Sequence, residues 1–341
     1  AIESLRRKGL SVNLLVFDTE RDSERVREIV ESDSLRGMDL IIGPVFTYNL
    51  KIVAEFASER RIPVVSPLAS RNDLLTDNPY LFQVQPTFET EIEKLGNFIA
   101  RYYDKNIVLI HPGDSLRTED IVFLKRRLFY HLSYRTFFDE VVFKEVVYNE
   151  EITKNDTINS LEHALTPDVQ NIVLVASDEE AFVSNVVSNL NTLAQDYEIT
   201  IIGYQSWQRF RNIELQHFYN LNLHICVPYI LDYNSELVKD FIRNFRQIYH
   251  TEPEQFSFAW QGHDIAYYFL SGIARYGRRF RNYYTRHSVN LLESEYLFRK
   301  IDRNSGYENK QIHLIRYNKD FEITPVNSDY ESEGINIYDR R

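Results

Sequence analysis

The side chains able to act as nucleophiles, bases or metal ligands are scattered along this chain. Nine histidines and one cysteine are spread over 341 residues. None falls in an HExxH, GxSxG or GxGxxG pattern, or in a GxxxxGK run followed by Ser or Thr. His217 and His224 are seven apart and straddle a predicted loop, where a metal pair is the weaker reading. His111 closes an apolar run beside Pro112–Ser115 and reads as a hydrogen-bonding or structural histidine. Asp178-Glu179-Glu180 would suit paired-carboxylate chemistry, but at a predicted helix start these acids serve the helix dipole equally well. No catalytic residue, metal site or cofactor is assigned, and the chain is not read as an enzyme.

Hydroxyls at the ends of strands are better placed for binding. Two buried-strand patterns, Asp39–Ile42 and Ile62–Ser66, each run into a turn of small or hydroxyl residues. Between them Leu50, Val53, Ala54, Phe56 and Ala57 recur at helical spacing, so the segment predicts a β-α-β unit with a right-handed crossover. Ligands of such units sit beyond the carboxyl ends of the strands. The turns Gly43–Asn49 and Ser66–Arg71 are therefore where a ligand would be held. Trp207, beside Gln205, would stack on a sugar ring or aromatic ligand, or pack against the neighbouring helix.

The elements that must position these turns follow from the periodicity. Val12–Phe17 predicts a strand and Ser23–Glu31 a helix. Pro86-Thr87 and then Glu89–Tyr102 predict an N-cap with acidic residues in the first turn of a helix. A second alternating set follows, with strands at 106–110, 140–148, 171–176 and 200–204 and helices at 119–130, 155–165 and 179–193. Two β/α halves in 341 residues imply two lobes of roughly 150 residues each. A net charge of −11 argues against nucleic acid and anionic lipid surfaces. No run of ~18 apolar residues predicts membrane insertion. The one basic stretch, Arg275–Arg286, reads as a solvated helix end and loop. Cys226 reads as a buried small hydrophobe. The tail after Asn327 is polar.

The order of three motifs is specific: LIIGP, then IPVVSPLAS, then NPYLFQVQPT. It resembles the type I periplasmic binding proteins, the branched-chain amino acid receptor family. Pro253–Gly277, with Gly262-His263-Asp264-Ile265-Ala266, resembles the family's late helix, and Tyr296–Tyr317 its closing strands. The resemblance implies an α/β fold of two Rossmann-like lobes joined by a three-crossing hinge. It places residues 1–104 plus 231–292 in an N-terminal lobe and 105–230 plus 293–327 in a C-terminal lobe, with 328–341 a polar tail. One departure is implied. The family has a strand and a ligand-contacting turn before the helix tail Ile2–Lys8, and the chain shows neither. Either the product is truncated or processed, or another segment, such as the tail after Pro325, fills the gap.

The resemblance also implies a site. Thr47 would supply a hydroxyl to the ligand, and Leu68-Ala69-Ser70 a backbone amide and a second hydroxyl, groups suited to a carboxylate. From the other lobe, the turns holding Ser115, Asp178, Gln205 and Trp207 would contribute. Where amino-acid-binding relatives place an acid for the ligand's ammonium, this chain has the neutral Gln205. The implied function is an extracytoplasmic solute-binding protein that closes two lobes on a small polar ligand such as an amino acid or peptide-like compound. The alternative is a ligand-free envelope domain linked to peptidoglycan, like those joined to LysM modules. The expected partners are a small-molecule ligand or an envelope protein, with a homodimer as the assembly and a periplasmic or cell-envelope location.

Overall fold

The computed structural model describes residues 1–113, 118–133, 143–148, 157–254 and 257–326. The chain divides into two units, Ala1–Thr90 with Pro228–Ile312, and Glu91–Val227 with His313–Arg341.

The first unit is built on a five-stranded sheet. Strands β1 (Ile41–Ile42), β2 (Val64–Ser66) and β3 (Leu81–Gln83) are followed by β10 (Tyr307–Asn309) and β9 (Phe298–Lys300), in the order β1-β2-β3-β10-β9. All neighbours are parallel except β9. The two faces follow the period of two along each strand. Val64 and Leu81, paired in register, join Leu50, Val53, Ala54 and Ala57 of helix α3 (Thr47–Arg60) and Val26 and Ile29 of α2 (Ser23–Glu31). Val65 and Phe82 point the other way, into Ile265 and Phe269 of helix α10 (Phe258–Tyr276) and Phe298 and Tyr307. The Phe82 ring stacks on Tyr307 at 4.4 Å and meets Phe269 and Phe298 edge-on at 5.2 and 5.3 Å. Such aromatic pairs add to the stabilisation that burial alone gives. Helices α1 (Ile2–Arg6) and α9 (Glu236–Tyr249) complete the unit.

The predicted strand at Val12–Phe17 does not form. The segment joins no ladder, and Leu14 and Val16 are 63% and 83% exposed. A strand needs a neighbour's backbone donors and acceptors. Here β1 pairs only with β2 and its outer edge stays open; residues 12–17 do not take that place.

The second unit carries a seven-stranded sheet. In sheet order it contains β12 (Ile323–Pro325), β11 (His313–Tyr317), β8 (His224–Val227), β7 (Ile199–Gly203), β6 (Asn171–Val175), β4 (Asn106–His111) and β5 (Lys144–Val147). From β8 to β5 all pairs are parallel, while β11 and β12 are antiparallel. Every residue of β6 and β7 is buried, which is why NIVLV and ITIIG are almost continuously apolar rather than alternating. Helices α4 (Phe88–Ile99), α5 (Thr118–Ser133), α6 (Thr157–Ala164), α7 (Glu180–Leu193) and α8 (Leu215–Asn220) alternate with these strands.

The chain passes between units at 90/91, 227/228 and 312/313, not at the expected 104/105, 230/231 and 292/293. Pairing explains the difference at the late crossing. Tyr307 registers with Phe82, and β9 follows β10, so residues 298–309 belong to the first sheet. At the first crossing, Phe98 stacks on His224 at 4.9 Å and Glu93 pairs with His131 at 3.2 Å, which ties most of α4 to the second unit. The polar tail 328–341 lies outside the described residues.

Candidate functional site

In the first unit the turns after β1 and β2 lie side by side, because Ile42 registers with Val65. Gly43, with φ +99°, breaks β1 in a backbone conformation that an L side chain rarely adopts. Helix α3 then begins with Thr47. Phe46 precedes it without a side-chain cap, and Thr47 is exposed, its hydroxyl without a hydrogen bond among the described residues. After β2, the Ser66 hydroxyl accepts the Ala69 N–H at 3.3 Å. Of the N–H groups in Leu68-Ala69-Ser70, that of Ala69 is thereby used inside the turn, and Ala69 is buried. Ser70 is exposed and its hydroxyl is unpartnered, as are the N–H groups of Leu68 and Ser70.

A buried polar network braces this turn from behind. The Pro67 carbonyl accepts from the Gln261 Nε2 at 2.9 Å and from the Gln85 Nε2 at 3.3 Å. Both amides also donate to the Tyr229 hydroxyl, Gln261 at 2.7 Å. Burial, and then the charge of Glu293, push that phenol well above its usual range, so it stays neutral. One helical turn further along α10, the carboxylate of fully buried Asp264 accepts the N–H groups of Leu292, Glu293 and Ser294 at 2.8, 3.0 and 3.0 Å. Residues 229–230 run antiparallel beside this clasp, through a Tyr229–Ser294 bridge and the Ile230 N–H to Glu293 carbonyl bond of 3.0 Å. Glu293 is raised to about 8, by burial first and then by Asp264.

In the second unit the corresponding turns follow β4, β6 and β7. At the end of β4, His111 is buried and held from both sides. Its Nδ1 accepts the Gly113 N–H at 3.1 Å and its Nε2 meets Glu145 at 2.7 Å. That arrangement assigns the Nε2 proton to the Glu145 contact. Lys125 at 2.8 Å, and then His111, hold the Glu145 carboxyl below its usual range. His111 thus anchors a turn whose next residues, including Ser115, lie outside the described residues. After β6, the Ser177 hydroxyl accepts the Glu179 N–H at 3.1 Å, and Asp178 is half-buried. After β7, Gln205 is half-buried at the start of a 3-10 turn spanning Gln205–Arg209.

Of the two readings of Trp207, packing against the neighbouring helix is the one found. Its indole is fully buried, its Nε1 donates to the Ser177 carbonyl at 2.9 Å, and its ring stacks on Phe218 at 6.1 Å. Gly203 lies flat against it, where an added Cβ would stand 2.4 Å from the ring. The side chain locks the turn after β7 to the turn after β6 and offers no face to a ligand. His224, also considered as a ligand, is turned into the core and lowered to about 4, chiefly by burial. Cys226 is buried, as its apolar surroundings predict. Among the described residues no group of three metal-ligating side chains exists, and no helix is long and apolar enough to cross a membrane.

Residues 1–294 match the family model described as the receptor family ligand binding region. The chain belongs to that family. Its fold is that of the type I periplasmic binding proteins. A putative branched-chain amino acid ABC transporter from Rhodospirillum rubrum aligns at 14% identity with a TM-score of 0.71, over 95% of this chain and 92% of the other. An ABC transporter substrate-binding protein from Desulfitobacterium hafniense, solved in complex with Leu, aligns at 13% identity and TM-score 0.62, over 95% and 92%. The C-domain of LpoA from Haemophilus influenzae, a regulator of PBP1A, aligns at 15% identity and TM-score 0.53, again over 95% and 92%. At these identities the likeness shows the fold alone. No curated protein sequence matches the chain.

Within this receptor-family fold, sequence reasoning missed Gln85, Tyr229 and Gln261, the residues that brace the Pro67 turn. The signal was present in part. Gln85 follows β3 in the QVQPT motif, and Gln261 directly precedes the Gly262-His263-Asp264 run. Neither neighbourhood says that both amides meet one carbonyl.

Proposed function

We propose that this receptor-family chain is an extracytoplasmic solute-binding module that closes its two units on a small polar ligand, an amino acid or peptide-like compound. The observation that supports this most is the set of unpartnered donors at the ends of β1 and β2. The hydroxyls of Thr47 and Ser70 and the N–H groups of Leu68 and Ser70 have no intramolecular acceptor, on turns whose own backbone is otherwise tied down. Neutral donors held in place suit a carboxylate, because they bind it without a buried counter-charge. From the second unit, Asp178 and Gln205 would contact the rest of the ligand, with Asp178 the acid able to pair an ammonium.

One observation favours a second reading. Gln205 is neutral where a ligand's ammonium would need an acid, and Trp207 is enclosed. A peptidoglycan-linked regulatory domain of the envelope, of the kind joined to LysM modules, would keep the fold and need no closed ligand shell.

Thermal unfolding against amino acids, short peptides, sugars and muropeptides separates the two. A ligand at ~100 times its dissociation constant adds about 2.7 kcal/mol, or roughly 5–10 °C for units of this size. A shift abolished by Thr47→Ala or Ser70→Ala supports the solute-binding reading. A folded protein that shifts with nothing in the panel favours the regulatory one.

A further inference from the structure

The far end of the first sheet carries a second concavity, away from the turns discussed so far. The strands β3 and β10 are parallel, so their amino-terminal ends lie opposite the end that holds Thr47 and Ser70. There Asp77, Pro79, Arg281, Tyr284, Lys300 and Arg303, with Tyr307 as the floor, enclose about 710 Å³. Gly306 makes this geometry possible. A Cβ on it would stand 2.4 Å from the Leu81 carbonyl and 2.8 Å from that of Asn78. Without a side chain there, the 301–306 turn closes against the 78–81 segment and brings Lys300 and Arg303 to the rim. The Asp302 carboxylate organises the same turn, accepting the Asn304 and Ser305 N–H groups at 2.7 and 2.8 Å.

Among the described residues, none of the three cations of this concavity forms an ion pair. Arg281 lies over the Tyr80 ring at 4.2 Å and reaches only the Pro79 carbonyl, at 3.4 Å. The Lys300 ammonium donates to the Arg303 carbonyl at 3.0 Å and sits 5.3 Å above the Tyr307 ring. The Arg303 guanidinium is exposed and has no partner among the described residues. Partial burial, and then the charge of Arg281, hold Lys300 below its usual range, with the charge of Asp302 opposing them. Among the described residues Asp77 is the only acid lining the wall, with Asp302 close enough to act on Lys300. Clustered cations without an ion-pair partner repel one another and are a ready local site for an anion.

We infer that this concavity is a binding site for a phosphoryl group carrying two or more negative charges, held by Arg281, Lys300 and Arg303. Guanidinium forks match phosphate oxygens in pairs, and the lysine adds a point charge. The Tyr284 ring, edge-on to Tyr307 at 4.6 Å, gives the organic part of a phosphate ester a surface to rest on. The site is independent of the solute-binding reading, since it shares none of its residues.

The test is isothermal titration of the intact chain with pyrophosphate, and co-sedimentation with phosphatidylcholine vesicles with and without phosphatidic acid, whose phosphomonoester can carry two charges. Wild type is expected to bind pyrophosphate saturably, with a dissociation constant below about 1 mM that weakens with added NaCl. Arg303→Ala leaves no broken contact in the fold, and it and Lys300→Gln should each weaken binding roughly tenfold or more. Binding to phosphatidic acid vesicles alone, lost in the same variants, would identify the phosphoryl group as a lipid headgroup's. Binding by neither probe, or binding unchanged in Arg303→Ala and Lys300→Gln, overturns the assignment.

Discussion

Replacing Asp264 by Ala tests how the late helix holds the chain. The carboxylate is fully buried and accepts three consecutive backbone N–H groups, those of Leu292, Glu293 and Ser294. Alanine leaves all three without that acceptor. Each orphaned buried donor costs about 1–3 kcal/mol, and half-buried Glu293 recovers part of its share from solvent. The sum is about 4 kcal/mol. For a unit of this size that lowers the midpoint of thermal unfolding by roughly 8–16 °C. Asn at this position keeps one acceptor oxygen and should fall between the two. Urea unfolding gives the magnitude, and hydrogen exchange at 292–294 gives the location. A variant within about 1 kcal/mol of the parent, with protection at 292–294 retained, refutes the clasp.

Three further outcomes follow from the same geometry. Glu293, raised from 4.5 to about 8, keeps its proton in the folded state over a range where the unfolded chain releases it. Stability is therefore lost as pH rises from 4.5 through 8, by roughly 2 kcal/mol after allowing for its partial exposure, and Glu293→Gln should flatten that slope in urea titrations at pH 5 to 8. Gly203→Ala forces a Cβ to within 2.4 Å of the Trp207 ring, and calorimetry should show a loss of about 1–3 kcal/mol in the second unit. Asn171 is fully buried at the start of β6; its Oδ1 accepts the Thr166 N–H at 2.8 Å, and its Nδ2 donates to the Val169 and Glu198 carbonyls at 2.9 and 3.0 Å. Asn171→Leu should cost about 2–4 kcal/mol in chemical unfolding.

Some of this was legible in the residues and some was not, for physical reasons. The β2 and β6 strands could be read because both faces are covered, which writes an unbroken apolar run. Helix α3 was readable because only one side of it is covered. Val12–Phe17 carries the same local signature as a strand, but a ladder depends on a neighbour, and β1 has none on that side. The division of the closing strands depended on register: Tyr307 could equally have continued into the second sheet, and it is the pairing with Phe82 that places it in the first. At the candidate site, Thr47 and Ser70 were identified as turn hydroxyls, and both are exposed and unpartnered. The fates of Ala69 and Trp207 were not legible. One depends on a hydroxyl three residues back, the other on a glycine four residues back and a carbonyl thirty residues away.

The most direct test of the central claim is isothermal titration of the ligand that most stabilises the chain, against wild type and the Thr47→Ala/Ser70→Ala double variant. Two hydroxyl donors to a carboxylate contribute about 3 kcal/mol together, so the double variant should bind on the order of a hundredfold more weakly while unfolding at the same temperature in the absence of ligand. Equal affinity in the two proteins would contradict the account, placing the ligand elsewhere than on the turns that follow β1 and β2.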